Sequence, residues 1–552
     1  MTELKINGIQ FNRKAIRRYL NQDLRDDWFP DPLQFKDVLD NSRNFYKLFQ
    51  DYFKAPWKVY SGNPSTQIDI PKPPFTLRYG LELVPQDRIA YQAFATILIE
   101  SLDEQLPPVV FSHRLTDMRY RRRYLLKNGV DSWTRFEEAM SAELDAGAEW
   151  ILFTDIANYF ESADIDRIDK EIRALIKNLE REQRKVVFKA WLNLRRMLKT
   201  WSKYDGLGIP QNRDASSIIG NIFLARLDAL MSKQWPGYMR YMDDIRVACD
   251  SEAEARIALK VLTRRLRRIG LNVNAKKTFI LRAGDEKLND LAFERDYGLE
   301  AISNWMNSGN TRNIFRALLV LQDKLETLID NQSFGERAFR AVLSRYLRIS
   351  ATEPFRRRAD FERFNDQVID ALTDYPSVSD QLIKYLRVAK LSRASKERLV
   401  RVFGSEKVRI YSWQRYHLWL LLADIKLRRV TLVREAREIL NNVEDIARPG
   451  EHAGAVIYLA EMGDDHDRRY IARRFNRFRT LISQRNALIA VSRLRYRPWI
   501  QRHVQSHVLK PLVGSYTRLN RRARKEGYLT LPELTSLADF GFEGDFGLGS
   551  SP

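Results

Sequence analysis

Four residues, Tyr241-Met242-Asp243-Asp244, hold the clearest chemical potential of this chain. They sit in the run Tyr238-Met239-Arg240-Tyr241-Met242-Asp243-Asp244-Ile245-Arg246-Val247-Ala248-Cys249, where β-prone apolar and aromatic residues flank an adjacent carboxylate pair. The pattern predicts a tight hairpin with two acids at its tip. Neighbouring like charges are costly unless a counter-charge neutralises them, and a divalent cation does so. Taken alone, the pair also fits a solvated Asp-Asp turn. A third acid, Asp155, ends the apolar run that starts at Trp150, and Tyr159-Phe160 follow within one helical turn. Two-metal phosphoryl transfer needs carboxylates from separate strands converging on ions about 3.5–4 Å apart, one ion activating a hydroxyl and the other steadying pyrophosphate. Taken alone, a strand-ending Asp is commonly a helix N-cap.

Positioning these acids requires a sheet. Candidate strands are Trp150–Asp155, Tyr238–Met242, Ile245–Cys249 and Lys277–Arg282, and candidate helices are Asp164–Trp201, Asp214–Lys233 and Ser251–Ile269. Their order predicts an α+β layer, an antiparallel sheet backed by helices. Residues 1–150 mix short helical and extended pieces, punctuated by prolines such as Pro30, Pro56, Pro73, Pro74 and Pro108. Past about residue 310 the pattern is wholly helical: Ile314, Leu318, Leu321, Leu325 and Leu328 recur at spacings of four and three, one buried helix face. Similar stripes run through Leu382–Ala389, Leu418–Ile425 and Val433–Leu440, separated by breakers such as Asp374-Tyr375-Pro376-Ser377 and Arg448-Pro449-Gly450. Stacked helix pairs are the natural reading, without an exact repeat period.

In chain order, Asp155-Ile156 with Tyr159-Phe160, then Gly208-Ile209-Pro210-Gln211, then Tyr241-Met242-Asp243-Asp244, then Leu271-Asn272-Val273-Asn274-Ala275-Lys276-Lys277-Thr278 resemble motifs A to D of reverse transcriptases. The resemblance implies right-hand-like fingers and palm. It implies Asp155, Asp243 and Asp244 as catalytic acids holding two Mg2+ or Mn2+ ions with the backbone of Ile156, and deoxynucleoside triphosphates as substrates. Phe160 falls at the steric-gate position, where a bulky ring clashes with a ribose 2′-hydroxyl. Its plainer reading is a core aromatic. Gln211, Ser216 and Asn221 match the motif that cradles template base and nucleotide. Asn212 replaces the usual Gly and Ser217 the usual Pro, departures that argue against an ordinary processive retroelement enzyme. Lys277 is the candidate general acid for pyrophosphate departure, a role open to a lysine near strong local charge. Upstream, Ile70-Pro71-Lys72-Pro73-Pro74-Phe75-Thr76-Leu77-Arg78 resembles the fingers block, which assigns Lys72 and Arg78 to phosphate oxygens. Phe111-Ser112-His113-Arg114-Leu115 occupies the place of the next block. Arg119-Tyr120-Arg121-Arg122-Arg123-Tyr124 suits either a strand-tracking surface or a solvated helix face.

Composition agrees with a nucleic-acid enzyme. The chain has 552 residues, 44% hydrophobic and 11% aromatic, enough for several cores. Its net charge is +22; residues 1–300 hold 49 Lys+Arg against 43 Asp+Glu, a net +6, which leaves +16 on residues 301–552. A polyanionic partner is expected, and the second half is the basic half. One cysteine, Cys249, excludes a disulfide framework or Cys-rich zinc module and suits a reducing compartment. No apolar stretch of membrane-spanning length and no signal-peptide core is visible, so a soluble intracellular protein without a membrane partner is expected. Gly463-Asp464-Asp465, with His466 and Asp467, imitates a metal motif. Its setting is wrong: Gly463 suits a helix C-cap, and Asp464 or Asp465 the N-cap of the next helix.

No second acid cluster indicates a ribonuclease H domain. The basic helical half instead resembles the HEAT-like repeat domain that follows the palm in abortive-infection reverse transcriptases, antiphage proteins of bacteria and prophages. That resemblance implies DNA synthesis without a required template, primed by a protein tyrosine. The single-stranded product then stays covalently attached, the protein assembles as a homo-oligomer, and the infected cell arrests. No motif locates the priming tyrosine; Tyr46 and Tyr52 are the candidates taken from the N-terminal region. The expected organisation is an N-terminal and fingers region at 1–150, a palm at 151–310, a HEAT-like domain at 311–527 and a flexible tail at 528–552. The rivals are a template-copying retron or retroelement enzyme and a non-catalytic nucleic-acid scaffold.

Overall fold

The computed structural model describes residues 3–6, 9–24, 27–39, 62–117 except 74, 124–288 except 203 and 205, 298–494 except 353, 354 and 358–361, and isolated positions between 504 and 529. Tyr46, Tyr52 and the basic run 119–123 lie outside these residues. Two hairpins lead the chain: β1 (Glu3–Ile6) with β2 (Ile9–Asn12), then β3 (Thr66–Lys72) with β4 (Thr76–Glu82). The site is carried by a four-stranded antiparallel sheet of β5 (Trp150–Asp155), β6 (Tyr238–Tyr241), β7 (Asp244–Cys249) and β8 (Phe279–Arg282), in the order β6-β7-β5-β8. Its central strands are buried runs of Ile, Leu, Phe, Val and Ala, which is why they read as near-continuous apolar segments. The register places Asp155 directly opposite Asp244, and Tyr241 opposite Asp244 across the hairpin.

The helices behind the sheet start and stop for local reasons. Helix Glu252–Arg268 opens on Ser251, whose hydroxyl accepts the Glu254 N–H, and closes on Arg265, Arg267 and Arg268, which complement the helix dipole. Ala255, Ala258, Leu262 and Leu266 form its buried stripe, and it packs on β5, β7 and β8. The long helix expected over Asp164–Trp201 is two helices, Ile165–Ile176 and Arg181–Trp201, packed against each other. Asp164 caps the first by accepting from Asp166 and Arg167 N–H, and the break falls at Asn178, a residue that favours turns. The expected strand Lys277–Arg282 also shortens: Ala275–Lys277 is a 3-10 turn, and β8 begins at Phe279.

From Leu299 onward every regular element among the described residues is helical. Helices Ser412–Asp424, Pro449–Met462 and Leu481–Ser492 pack side by side and are buried almost all round, whereas Val430–Asn442 and Asp465–Arg474 bury one stripe and flank them. At Gly454 a Cβ would stand 2.8 Å from the Trp419 side chain, so only glycine allows this helix approach. The helical half grips the N-terminal segment 27–39. Arg485, itself buried, pairs with both Asp31 and Asp37; Trp413 donates its indole N–H to the Trp28 carbonyl; Phe29 stacks on Tyr416 at 3.9 Å. Asp27 of the same segment pairs with Arg88 and Arg213, which ties it to the palm. The flexible tail expected from 528 does not begin there. Tyr528 and Leu529 are buried, the Tyr528 hydroxyl donates to Glu461, and both amides donate to Asp424. Residues 530–552 are outside the described set.

Candidate active site

The β6–β7 hairpin turns on Met242 and Asp243, with Met242 in the left-handed region at φ 56°. Such a conformation is costly for a non-glycine residue and persists only where its surroundings hold it. Here they do. The Met242 N–H donates to Ser112 Oγ at 2.8 Å, and its carbonyl accepts from Arg240 Nη1 at 2.6 Å. Arg240 forms a fork with Asp228 at 2.8 and 2.7 Å and also donates to Asn221 Oδ1. Asp228 accepts from the Tyr238 hydroxyl, and Asn221 donates to the Ser112 carbonyl. Arg240 and Asp228 are both 0% exposed. A buried ion pair contributes geometry rather than a large net stability, and this one fixes the acid turn.

The turn meets β5 through the Ile156 N–H, which donates to the Asp243 carbonyl at 3.0 Å. The bridge from Ile156 to Val273 runs through the Asp155 carbonyl, accepting from Asn274 N–H, and the Ala157 N–H, donating to Asn272. Ile156's own carbonyl is therefore outside the bridge. Asp155 Oδ2 accepts from Asn274 Nδ2 at 3.1 Å and faces Lys277 Nζ at 3.4 Å. Its Oδ1 is buried and has no hydrogen-bond partner. Burial and the Asp243 charge push Asp155 up to about 6, and burial with Asp243 and Asp155 pushes Asp244 up to about 7. Three neighbouring carboxylates, one with an orphaned oxygen, supply hard-oxygen donors suited to a divalent cation, and since their oxygens do not all lie within 4.8 Å of one another, a bound ion would draw them inward. Bound there, divalent ions would supply Lewis acidity at a phosphoryl centre.

The β3–β4 hairpin lies over this cluster. Burial, Arg78 and Lys277 lower the Lys72 pKa, while Asp155 and Glu161 oppose the change. Burial and Arg340 lower Arg78 to about 10, opposed by Asp243 and Glu161. Glu161 fastens the hairpin to the palm, accepting the Tyr79 N–H at 3.4 Å and Gln211 Nε2 at 2.8 Å. Phe160, half-buried, packs its ring 5.3 Å from that of Tyr159, and its carbonyl accepts the Ile209 N–H. Phe160, Glu161, Gln211, Lys72 and Arg78 thus gather on one side of the acids.

One assignment needs correction. Ser216 is 0% exposed, and its hydroxyl is bonded to the Tyr91 hydroxyl at 2.7 Å, so it does not reach a nucleotide and instead positions helix Asp214–Gln234. Asn212 takes φ 55°, a left-handed backbone that Asn tolerates better than most residues, so the conformation suited to the usual glycine is kept. Ser217 lies in the helix's first turn, its N–H bonded to the Arg213 carbonyl, a bond that a proline would forgo. At 464–467 the side chains of Asp464, His466 and Asp467 do converge. Asp464 and Asp467 form a capping box, and Arg437 pairs with both, which accounts for the cluster structurally. Glu161 and Asn274 are neighbours of the acids that the sequence did not single out, although Glu161 directly follows the first motif segment and Asn274 lies inside the last. The Arg240–Asp228 pair was signalled only by a charge in an apolar strand.

Residues 70–310 match the family model described as reverse transcriptase (RNA-dependent DNA polymerase). The chain contains a reverse transcriptase domain and is an RNA-directed DNA polymerase-like nucleotidyltransferase. No curated protein matches it. Among solved structures it is similar to telomerase from Candida albicans in complex with a fragment of telomeric RNA, at 13% identity and TM-score 0.32, covering 68% of each chain. It is also similar to apo telomerase from Candida tropicalis, at 12% identity and TM-score 0.31, covering 68% of this chain and 74% of the other. Likeness this distant adds nothing about function. Among the described residues, no helix is long and apolar enough to cross a membrane.

Proposed function

We propose that this protein is an abortive-infection reverse transcriptase. In this reading Asp155, Asp243, Asp244 and the Ile156 carbonyl hold two Mg2+ or Mn2+ ions and extend deoxynucleotides without a required template from a protein tyrosine. The observation that carries the reading is the partner of the acid cluster. The palm is joined to a basic half in which every regular element among the described residues is helical, and β3 packs on helix Ser412–Asp424 of that half. Among the described residues no second acid cluster resembling a nuclease accompanies it; the cluster at 464–467 is accounted for by helix capping.

In the chemistry, Lys72 and Arg78 neutralise the triphosphate, Phe160 excludes a 2′-hydroxyl, and Lys277 delivers a proton to departing pyrophosphate. The remaining inferences belong to the same reading: HEAT-like repeats over 311–527, homo-oligomeric assembly, a bacterial cytoplasmic location, and single-stranded DNA attached at Tyr46 or Tyr52.

The test is to incubate purified protein with each labelled deoxynucleotide and Mg2+ or Mn2+, with and without template, and resolve products under denaturing conditions. Label that stays on the protein without template, and disappears on nuclease treatment, supports the reading. Synthesis only on added RNA favours a retron-like enzyme, and no incorporation favours a scaffold.

A further inference from the structure

The helical half reaches the nucleotide side of the acid cluster through one helix turn. Helix Arg337–Ser350 starts with two arginines three positions apart, Arg337 and Arg340, and has no acid in its first turn. Cations at a helix N-terminus run against the helix dipole, and the adjacent acid is the N-cap residue Glu336. Arg340 donates from Nη2 to the Ser377 carbonyl at 2.8 Å. That carbonyl belongs to the turn Pro376–Val378, on which β3 rests. The guanidinium is thereby fixed beside the hairpin that carries Lys72 and Arg78, close enough to Arg78 to oppose its protonation. Arg337, one turn earlier, has its guanidinium carbon 6.0 Å from the Trp133 ring, and that ring meets Tyr241 edge-on at 5.0 Å.

Lys72, Arg78 and Arg340 therefore gather positive charge on one side, with Asp155, Glu161 and Asp243 as the opposing acids. Once Asp243 is committed to a metal, a polyanion is the natural counter-charge, and planar guanidinium forks match phosphate oxygens.

We propose that Arg340 binds the triphosphate of the incoming nucleotide together with Lys72 and Arg78, so that the helical half completes the nucleotide site of the palm. This rests on the polymerase reading above. The ligand class is a deoxynucleoside triphosphate, and the recognised groups are its outer phosphates.

The experiment uses the full-length protein and the variants Arg340→Ala, Arg340→Lys and, as an exposed control in the same half, Arg469→Ala. Two quantities are read: KM and kcat for deoxynucleotide incorporation, and equilibrium binding of a non-hydrolysable deoxynucleoside triphosphate in Ca2+. Arg340→Ala should raise KM and Kd about 10-fold, a factor equal to about 1.4 kcal/mol, with kcat changed much less. Arg340→Lys should recover most of that loss, and Arg469→Ala should match the wild type. Unchanged KM and Kd in Arg340→Ala overturn the proposal. So does a fall in kcat with a lowered Tm and unchanged Kd, which marks a structural role. Increased activity would also overturn it, because the arginine would then compete with metal. A wild-type chain that binds the analogue without incorporating nucleotides would sink the polymerase reading yet leave the Arg340 result readable. A wild-type chain that does neither removes both.

Discussion

Replacing Asp228 by alanine should separate the folding role of the buried network from its catalytic role. Asp228 accepts three hydrogen bonds, two from Arg240 and one from Tyr238, and neither member of the ion pair is exposed. Removing the carboxylate leaves a buried guanidinium without its counter-ion, which costs about 3–5 kcal/mol. Arg240 also holds the Met242 carbonyl, so its displacement should move Asp243 and Asp244, and an error of about 1 Å in such a group lowers kcat about 100-fold. Urea unfolding followed by tryptophan fluorescence is a suitable assay, because Trp191, Trp201 and Trp235 are buried in the palm. The double variant Asp228→Ala with Arg240→Met removes both charges together. It should regain at least half of the lost stability, since two apolar groups replace a broken pair. It should not regain kcat, since nothing then holds the Met242 carbonyl. A loss below about 1 kcal/mol in the single variant would show that Arg240 is satisfied without Asp228. Full kcat in the double variant would show that the network does not position the acids.

Phe160→Ala should weaken discrimination against ribonucleotides by about 10- to 100-fold, read as the ratio of kcat/KM for paired deoxy and ribo substrates, while deoxynucleotide use persists. Lys277→Ala should lower kcat at least about 100-fold with little change in KM; an unaltered kcat would assign the proton to another group. Acid should destabilise the helical half through His417 and His452, both buried and both lowered from 6.5 to about 4, first of all by desolvation. Their neutral rings are favoured in the folded state, so this stability is complete above pH 6.5 and is lost as pH falls toward about 4. At pH 5 the two rings together cost about 4 kcal/mol, and His417→Gln should flatten the fall in Tm between pH 7 and pH 5.

The neighbouring placement of Asp155, Asp243 and Asp244 was legible because it is set locally in the sequence. Asp243 and Asp244 are adjacent, a two-residue turn fixes their register, and β5 ends on Asp155, so period-two patterning already aims the carboxylates together. Helices Asp214–Gln234 and Glu252–Arg268 matched their apolar stripes to within a residue at each end. The break at Asn178 was hidden because apolar residues continue through it, and only the packing of the two resulting helices shows the reversal. Ser216 misled for a different reason. Which way it faces is decided by Tyr91, a residue distant in sequence, and no local pattern encodes that contact. The same holds for Arg240 with Asp228, for Asp31 and Asp37 with Arg485, and for Arg340 beside the fingers hairpin. Arg485, a charge of the basic half, is an internal fastener between the two halves of the chain. The surplus of +16 in residues 301–552 is therefore not all available to nucleic acid.

The most direct measurement is incorporation of a labelled deoxynucleotide by the full-length wild type and by Asp243→Ala, side by side, in Mg2+ and in Mn2+. Melting curves of both proteins show whether the fold is shared. The wild type should incorporate label, and Asp243→Ala should incorporate none while melting at the same temperature within about 2 °C, the change expected for under 1 kcal/mol. Incorporation retained in Asp243→Ala would contradict the assignment of the acid cluster as a polymerase centre.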